Sequence, residues 1–165
     1  MGSEKEGKGK SPFKIGEEFV DDVIKEIPNI VNVIKEYISL GNKFDLILTF
    51  PKKNNVISVV KGDTRVARKL IEEAEGIIII ECSRRGRFKH IKENFGEILK
   101  IPALNDDVIQ KIKAFYLVHE KIENPKYKDY FERLSKLLFN PIFKVELIEL
   151  KDINDKIAKL VASKP

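Results

Sequence analysis

The sequence predicts a single three-layer α/β domain, in which helices cover both faces of a mixed β-sheet. Residues 77–80 are four consecutive isoleucines, and this lack of polar alternation is typical of a strand that is covered on both faces. A helical pattern lies between this strand and the preceding β-rich run, so the two strands are expected to be parallel. Two β-rich runs that flank a Pro/Asn turn predict a hairpin at one side of the parallel centre.

Hydrophobic periodicity and helix-capping residues place the other elements along the chain. In the amino-terminal half we expect helices over residues 13–27 and 28–40, the hairpin strands over 44–50 and 56–60, a helix over 65–75 and a strand over 77–82. In the carboxyl-terminal half we expect a helix over 88–95, a strand over 97–101, a long helix over 106–122, a helix over 127–138, a strand over 142–150 and a helix over 153–161.

The length and composition limit the possible classes of protein. A chain of 165 residues is long enough for one domain, which we expect over residues 13–165 after a disordered charged leader over 1–12. No apolar run approaches the ~18 residues of a membrane span, and the leader lacks the apolar core of a secretory signal. A single cysteine, Cys82, excludes an internal disulfide. We therefore expect a cytoplasmic protein without a membrane partner.

Residue usage also points to the source of the protein. Lys, Glu and Ile are used heavily, whereas the chain has one Cys, one Met and no Trp. This balance is typical of hyperthermophilic, archaeal-like proteins, in which ion-pair networks gain value and labile residues are avoided. A genome of low GC content biases residue usage in the same direction, so residue usage favours a hyperthermophilic source without establishing it.

The strand over residues 77–82 leads directly into a strongly basic loop. Five basic residues and no acidic residue lie between positions 84 and 92: Arg84, Arg85, Arg87, Lys89 and Lys92. The whole chain has 31 basic and 26 acidic residues, so its net charge of +5 equals the charge of this one segment. A concentrated positive field affects the choice of partner more than an evenly spread charge does.

This basic loop is the strongest candidate for a binding site. In an open parallel sheet, ligands bind at the carboxyl ends of the strands, where the loop begins. The planar guanidinium group of arginine fits phosphate oxygens, and Gly86 would let the backbone approach a ligand closely. The predicted ligand-binding residues are Ser83, Arg84, Arg85, Arg87, Lys89 and Lys92. The alternative is a solvated turn whose arginines pair with acidic residues elsewhere on the surface.

Other candidate sites carry weaker signals. Residues 61–64 read Lys-Gly-Asp-Thr, which lacks the spacing of a phosphate-binding loop, so we expect a helix cap there. Cys82 lies beside arginines that could lower the pKa of its thiol, but a nucleophile would also need a base such as His90, and a buried structural cysteine is favoured.

His119 lies on an apolar stripe and is interpreted as a residue at the edge of the core. Two histidines do not predict a zinc site.

Three further residues are candidates for catalysis. Asp45 begins one strand of the predicted hairpin, Lys61 ends the other, and Glu81 lies in the strand after the helix. Over residues 15–82 this order resembles the core of the PD-(D/E)xK nucleases. The resemblance implies that the two acids hold a divalent metal such as Mg²⁺ and that the lysine assists the attacking water. Val59 stands two positions before Lys61, where that family has Asp or Glu.

Taken together, these patterns predict a noncatalytic, nucleic-acid-associated protein that binds the phosphates of DNA or RNA through the basic loop, without a cofactor or metal. Three alternatives stay open: an enzyme or sensor for a nucleotide or phosphorylated metabolite, a divergent metal-dependent nuclease, and a structural subunit with a protein partner or a second copy of itself. Tyr127, Tyr130 and Phe131 could stack bases, but their helical spacing favours a packing face.

Overall fold

The computed structural model describes residues 12–52, 59–138 and 143–163, with side chains from residue 18 onward. The helices are α1 (Pro12–Glu26), α2 (Arg65–Glu73), α3 (Phe88–Phe95), α4 (Asp106–Lys111), α5 (Lys126–Leu138) and α6 (Ile153–Ala162), with 3₁₀ segments at Gly96–Ala103 and Leu150–Asp152. The strands are β1 (Asn32–Ser39), β2 (Asn42–Phe50), β3 (Val59–Lys61), β4 (Gly76–Cys82), β5 (Ile112–His119) and β6 (Lys144–Glu149). The predicted leader over residues 1–12 is one residue too long, since Pro12 belongs to α1, and residues 1–11 lie outside the described residues.

The six strands form one mixed sheet in the order β3-β1-β2-β4-β5-β6. Strands β4, β5 and β6 are parallel to one another, whereas β2 is antiparallel to both of its neighbours, β1 and β4. Helices cover both faces of the sheet, which confirms the predicted three-layer α/β fold. Within the described ranges, no helix is both long enough and apolar enough to cross a membrane.

The four isoleucines of β4 divide between the two faces of the sheet. Ile77 and Ile79 pack into a core beneath α2 to α5, and Ile78 and Ile80 pack into a second core beneath α1 and α6. All four side chains have an exposed fraction of 0%. The unbroken apolar run thus forms a strand that is buried on both faces, as predicted.

The predicted second helix is wrong, since its residues form strand β1. Leu40 and Gly41 have φ angles of 47° and 77°, and they make the two-residue turn of a β1–β2 hairpin. Gly41 therefore serves a hairpin and does not end a helix. The predicted hairpin partner was also wrong: β3 pairs in parallel with β1, although residues 56–58 of that predicted strand lie outside the described residues. Strands β3 and β4 do run in the same direction, with the β1–β2 hairpin between them.

Two predictions in the carboxyl-terminal half also need correction. The predicted long helix over 106–122 ends at Lys111, and β5 follows it, with all but one of its residues buried. Apolar residues occupy nearly every position of β5, so they satisfied the helical spacing as well as the requirements of a buried strand. The predicted strand over 97–101 is a 3₁₀ segment that buries Ile98 and Ile101, three positions apart.

Candidate functional site

The basic loop lies at the carboxyl end of β4 and is tied to the loop that follows β5. The backbone N–H of Glu120 donates to the carbonyl oxygen of Arg84 at 3.0 Å, and the N–H of Glu123 donates to the carbonyl oxygen of Gly86 at 2.9 Å. These bonds extend the contact between the two chain segments beyond the last paired residues of the strands. The backbone of the basic loop is therefore tied to the loop after β5 by hydrogen bonds at Arg84 and Gly86.

Gly86 allows this close approach between the two loops. A Cβ atom at position 86 would lie 1.7 Å from the carbonyl oxygen of Lys121 and 2.8 Å from the Cα of Ile122. The sequence suggested that Gly86 makes room for a ligand. In the structure, the space beside its Cα is occupied by the backbone of the neighbouring loop.

His119 holds the basic loop from inside the core. Its Nδ1 lies 3.0 Å from the carbonyl oxygen of Arg85, which can only accept, so we assign the imidazole proton to Nδ1. The side-chain amide of Asn94 then donates to Nε2 at 3.4 Å and to the carbonyl oxygen of Glu81 at 3.1 Å. Burial lowers the pKa of His119 to about 4, so this ring is neutral at pH 7. The sequence placed His119 at the edge of the core, but its exposed fraction is 0%.

Arg84 is fixed by two acidic residues from other elements. Its guanidinium group lies 2.9 Å from the carboxylate of Asp22 in α1 and 3.2 Å from that of Glu120 after β5. It also lies over the ring of Phe19, 5.0 Å from the centroid. The charge of Arg84 is balanced by these contacts, so its main role is to join the basic loop to α1.

The other basic residues of the loop are more open. Arg87 lies 3.5 Å from the carboxylate of Glu123, and both side chains are mostly exposed. Arg85, Lys89 and Lys92 are exposed and form no ion pair with any residue in the described part of the chain. Their positive charges are therefore available to a partner.

An open groove of about 610 Å³ lies where the two loops meet. Residues 84–87 form one wall, and Glu120, Lys121 and Glu123 form the other. Four basic and two acidic side chains line the groove, and the acidic ones are those that pair with Arg84 and Arg87. The remaining positive charge comes from Arg85 and Lys121. Ser83 precedes the groove, and its N–H donates to the carbonyl oxygen of Val118 at 3.0 Å.

A second cluster forms where the pairing of β2 with β4 ends. The N–H of Asp45 donates to Oε2 of Glu81 at 3.0 Å, and the N–H of Cys82 donates to Oδ2 of Asp45 at 2.9 Å. Leu46 and Ile80 are the last paired residues of β2 and β4 at this end of the two strands. Beyond them, these two side-chain bonds join the strands in place of backbone hydrogen bonds. Lys100, from the 3₁₀ segment, lies 2.8 Å from Oε1 of Glu81.

The electrostatics of this cluster follow from its burial. Burial raises the pKa of Glu81 to about 8, and the neighbouring carboxylate of Asp45 adds to the shift. Burial also raises the pKa of Asp45. For Lys100, burial alone would lower the pKa, but the carboxylates of Glu81 and Glu97 raise it. The carboxyl pair is therefore expected to hold a proton at neutral pH while Lys100 stays charged.

The structure brings together two of the three predicted catalytic residues. Asp45 and Glu81 meet, but Lys61 points to Glu36, with 3.6 Å between the ammonium and carboxylate groups. Strand β1 separates β3 from β2, which puts the backbone of Lys61 two strand spacings, roughly 10 Å, from that of Asp45. Lys100 supplies the nearby ammonium group, and sequence reasoning missed it because the 3₁₀ segment was predicted to be a strand. In the described part of the chain, no three His, Cys, Asp or Glu residues form a group that could hold a metal ion.

Cys82 lies next to this cluster, and the structure reverses one expectation about it. Burial raises the pKa of its thiol well above the ordinary value, and the carboxylates of Asp45 and Glu81 raise it further. The neighbouring arginines thus do not activate the thiol. The Nδ1 atom of His90 is buried and has no hydrogen-bond partner among the described residues.

The fold and the site together define an α/β protein with a rigid basic loop at the carboxyl edge of a parallel pair of strands. No protein-family model, curated protein or solved structure matches this chain. The geometry of the described residues is therefore the basis for the proposals that follow.

Proposed function

We propose that the protein binds the phosphate backbone of nucleic acid through a basic surface, defined as Arg85, Arg87, Lys89 and Lys92. The observation that carries this proposal is the exposure of Arg85, Lys89 and Lys92 without an acidic partner among the described residues. They lie in the one segment whose charge equals that of the whole chain. Nucleic acid is the partner that best fits several exposed cations in a row, because each cation can neutralise one phosphate and release a counterion.

The rigidity of the loop supports the same function. Hydrogen bonds from the loop after β5 and from His119 fix its backbone, so little conformational entropy is lost when a ligand binds. Lys89 and Lys92 lie three positions apart in α3, directly after the loop, and extend the cationic surface along one side of that helix. Contacts of this kind position a protein on nucleic acid without reading its sequence.

The carboxyl cluster supports binding without catalysis. Both side-chain oxygens of Glu81 already have a donor, one from Lys100 and one from the N–H of Asp45. One oxygen of Asp45 accepts from the N–H of Cys82. The side chain of Glu81 has an exposed fraction of only 2%, so a phosphodiester cannot reach it without opening the sheet. We infer that these acids join two strands and do not act on a substrate.

The first prediction is that an Arg85→Ala, Lys89→Ala, Lys92→Ala triple variant binds duplex DNA on the order of 10- to 100-fold more weakly at low salt. Each lost phosphate contact should also reduce the slope of log K against log[salt] by about 0.9, because fewer counterions are released. Fluorescence anisotropy of a labelled duplex, titrated at four salt concentrations, measures both quantities.

A matched control uses α2, which carries three exposed basic residues on another helix: Arg65, Arg68 and Lys69. Replacing these three with alanine changes the net charge by the same amount and should leave the affinity within about threefold. An equal loss in both variants would mean that overall charge, and not this surface, attracts the DNA. If the wild-type protein binds neither DNA nor RNA at low salt, the proposed function is wrong.

A further inference from the structure

An aromatic cluster lies beside the basic surface. Phe88 is the first residue of α3, and its ring centroid lies 5.4 Å from that of Tyr127, 5.5 Å from Tyr130 and 5.2 Å from Phe131. The last three residues belong to α5, so this cluster joins the helix that follows the basic loop to its neighbour. In the sequence, the helical spacing of the aromatic residues of α5 favoured a packing face.

The cluster has a buried part and an exposed part. Phe131 has an exposed fraction of 1%, and Phe95, 5.3 Å away from it, has 7%. These two rings are part of the core, as predicted for the packing face. By contrast, Tyr130 is 51% exposed and Phe88 is 37% exposed. The buried rings hold the two exposed rings at an interplanar angle of 62° to each other.

Positive charges flank both exposed rings. Lys92 follows Phe88 by four positions in α3, and Tyr130 follows Lys126 by four positions in α5. Residues four apart in a helix lie on the same side, with about 5–6 Å between their Cβ atoms. Lys126 is exposed, as is Lys92. Each exposed ring thus has a cation within one helical turn.

We propose that Phe88 and Tyr130 stack unpaired bases, so that the basic surface binds single-stranded nucleic acid more tightly than a duplex. This inference rests on the proposed function and specifies its substrate class. Bases stack on aromatic rings whatever the sequence, while neighbouring cations follow the phosphates, and both features are present here. The bases of a duplex are stacked on one another and present no free face to such a ring, whereas those of a single strand do.

A second copy of the chain is a less suitable occupant of this surface. An interface between copies requires a mostly apolar centre, but the two exposed rings are bordered by Lys92 and Lys126, which would repel the same residues of a symmetric partner. Leu137 lies two turns beyond Tyr130 on the same side of α5, and the groove that both residues line also contains the charged side chains of Lys126, Asp129 and Arg133. The polyanionic character of a single strand matches the charges that border the rings.

The test compares a 20-nucleotide single strand with a duplex of the same length. Tyr130→Ala should weaken binding of the single strand roughly 5- to 150-fold, the loss expected when one base no longer stacks. Its affinity for the duplex should change less than twofold. Leu138→Ala removes an exposed apolar side chain of the same helix that does not line the groove beside Tyr130, and it should change neither affinity.

A spectroscopic measurement separates stacking from a structural role. The chain has no Trp, so its four tyrosines are the intrinsic fluorophores. The single strand should quench the fluorescence of the wild-type protein, and Tyr130→Phe should reduce that quenching while it keeps the wild-type affinity. This result is expected only if the ring at position 130 contacts a base.

The possible failures of the two proposals can be told apart. If Tyr130→Ala binds both nucleic acids as the wild type does, or loses both equally, the stacking inference is wrong and the proposed function stands. If light scattering shows that Tyr130→Ala dissociates a dimer, the rings belong to a subunit interface and the inference is again wrong. If the wild type binds neither nucleic acid, both proposals are wrong.

Discussion

Gly86→Ala should reduce the free energy of unfolding by about 3 kcal/mol, at the upper end of the usual cost of overpacking. The added Cβ would lie 1.7 Å from the carbonyl oxygen of Lys121, which is backbone and cannot rotate away as a side chain could. One loop must move, and that movement breaks the hydrogen bond from the N–H of Glu123 to the carbonyl oxygen of residue 86. Urea unfolding followed by circular dichroism measures the loss.

Gly96→Ala is the matched control for this variant. Gly96 has φ −60° and ψ −18°, and a Cβ atom there would have no neighbour within 4 Å. The control should therefore be neutral or stabilise the protein by up to about 1 kcal/mol, because alanine restricts the unfolded chain. Because the basic loop must shift in Gly86→Ala, this variant should also bind nucleic acid more weakly than Gly96→Ala does. Equal stabilities for the two variants would contradict the close packing of the two loops.

The second large effect concerns the response of stability to pH. Between pH 5 and pH 8.5 the unfolding free energy of the wild-type protein should fall by about 2–4 kcal/mol relative to that of Glu81→Gln. The buried His119 titrates in the opposite sense, but its contribution is the same in both proteins and cancels in the comparison. A glutamate in the unfolded chain releases its proton near pH 4.5, whereas burial raises the pKa of Glu81 to about 8 in the folded protein. At Glu81 the folded state therefore holds more protons across this window, so the stability that this residue contributes falls as the pH rises and levels off above pH 8.

Glu97→Gln serves as the control for this experiment. Glu97 also contacts Lys100, at 3.2 Å, but its side chain is 42% exposed. The control should keep the slope of the wild type, because solvent screens the ion pair of an exposed carboxylate. Urea unfolding at half-unit steps of pH gives the slope for each variant. Identical pH profiles for the wild-type protein and Glu81→Gln would show that Glu81 is ionised throughout this window.

Several features of the protein could be predicted from the sequence because they depend on neighbouring residues alone. The four isoleucines of β4 are too apolar to face water on either side, so their burial on both faces needed no knowledge of the fold. A helix cap was predicted within residues 61–64, and the hydroxyl of Thr64 accepts from the N–H of Ala67 at 3.2 Å. The charge of the basic loop is likewise a property of consecutive residues.

Other features required contacts between distant parts of the chain. The residues of β1 could form a helix or a strand, and the choice followed from pairing with β2, whose register the Leu40–Gly41 turn sets. The residues of β5 were equally ambiguous until they paired with β4 and β6. Secondary-structure propensity is a weak preference that such pairing readily overrides.

The candidate site shows the same division between local and distant contacts. The sequence by itself determined that a basic loop follows a buried strand at the edge of the sheet where α/β proteins bind ligands. Only the tertiary structure decided which charges of that loop are free, since Arg84 pairs with Asp22, 62 positions away in the chain. The tertiary structure likewise placed Lys100 beside Glu81 and left two aromatic rings exposed next to the basic surface. Local sequence fixes the charge and burial of a segment, whereas its partners depend on the order of strands and helices, which distant contacts establish.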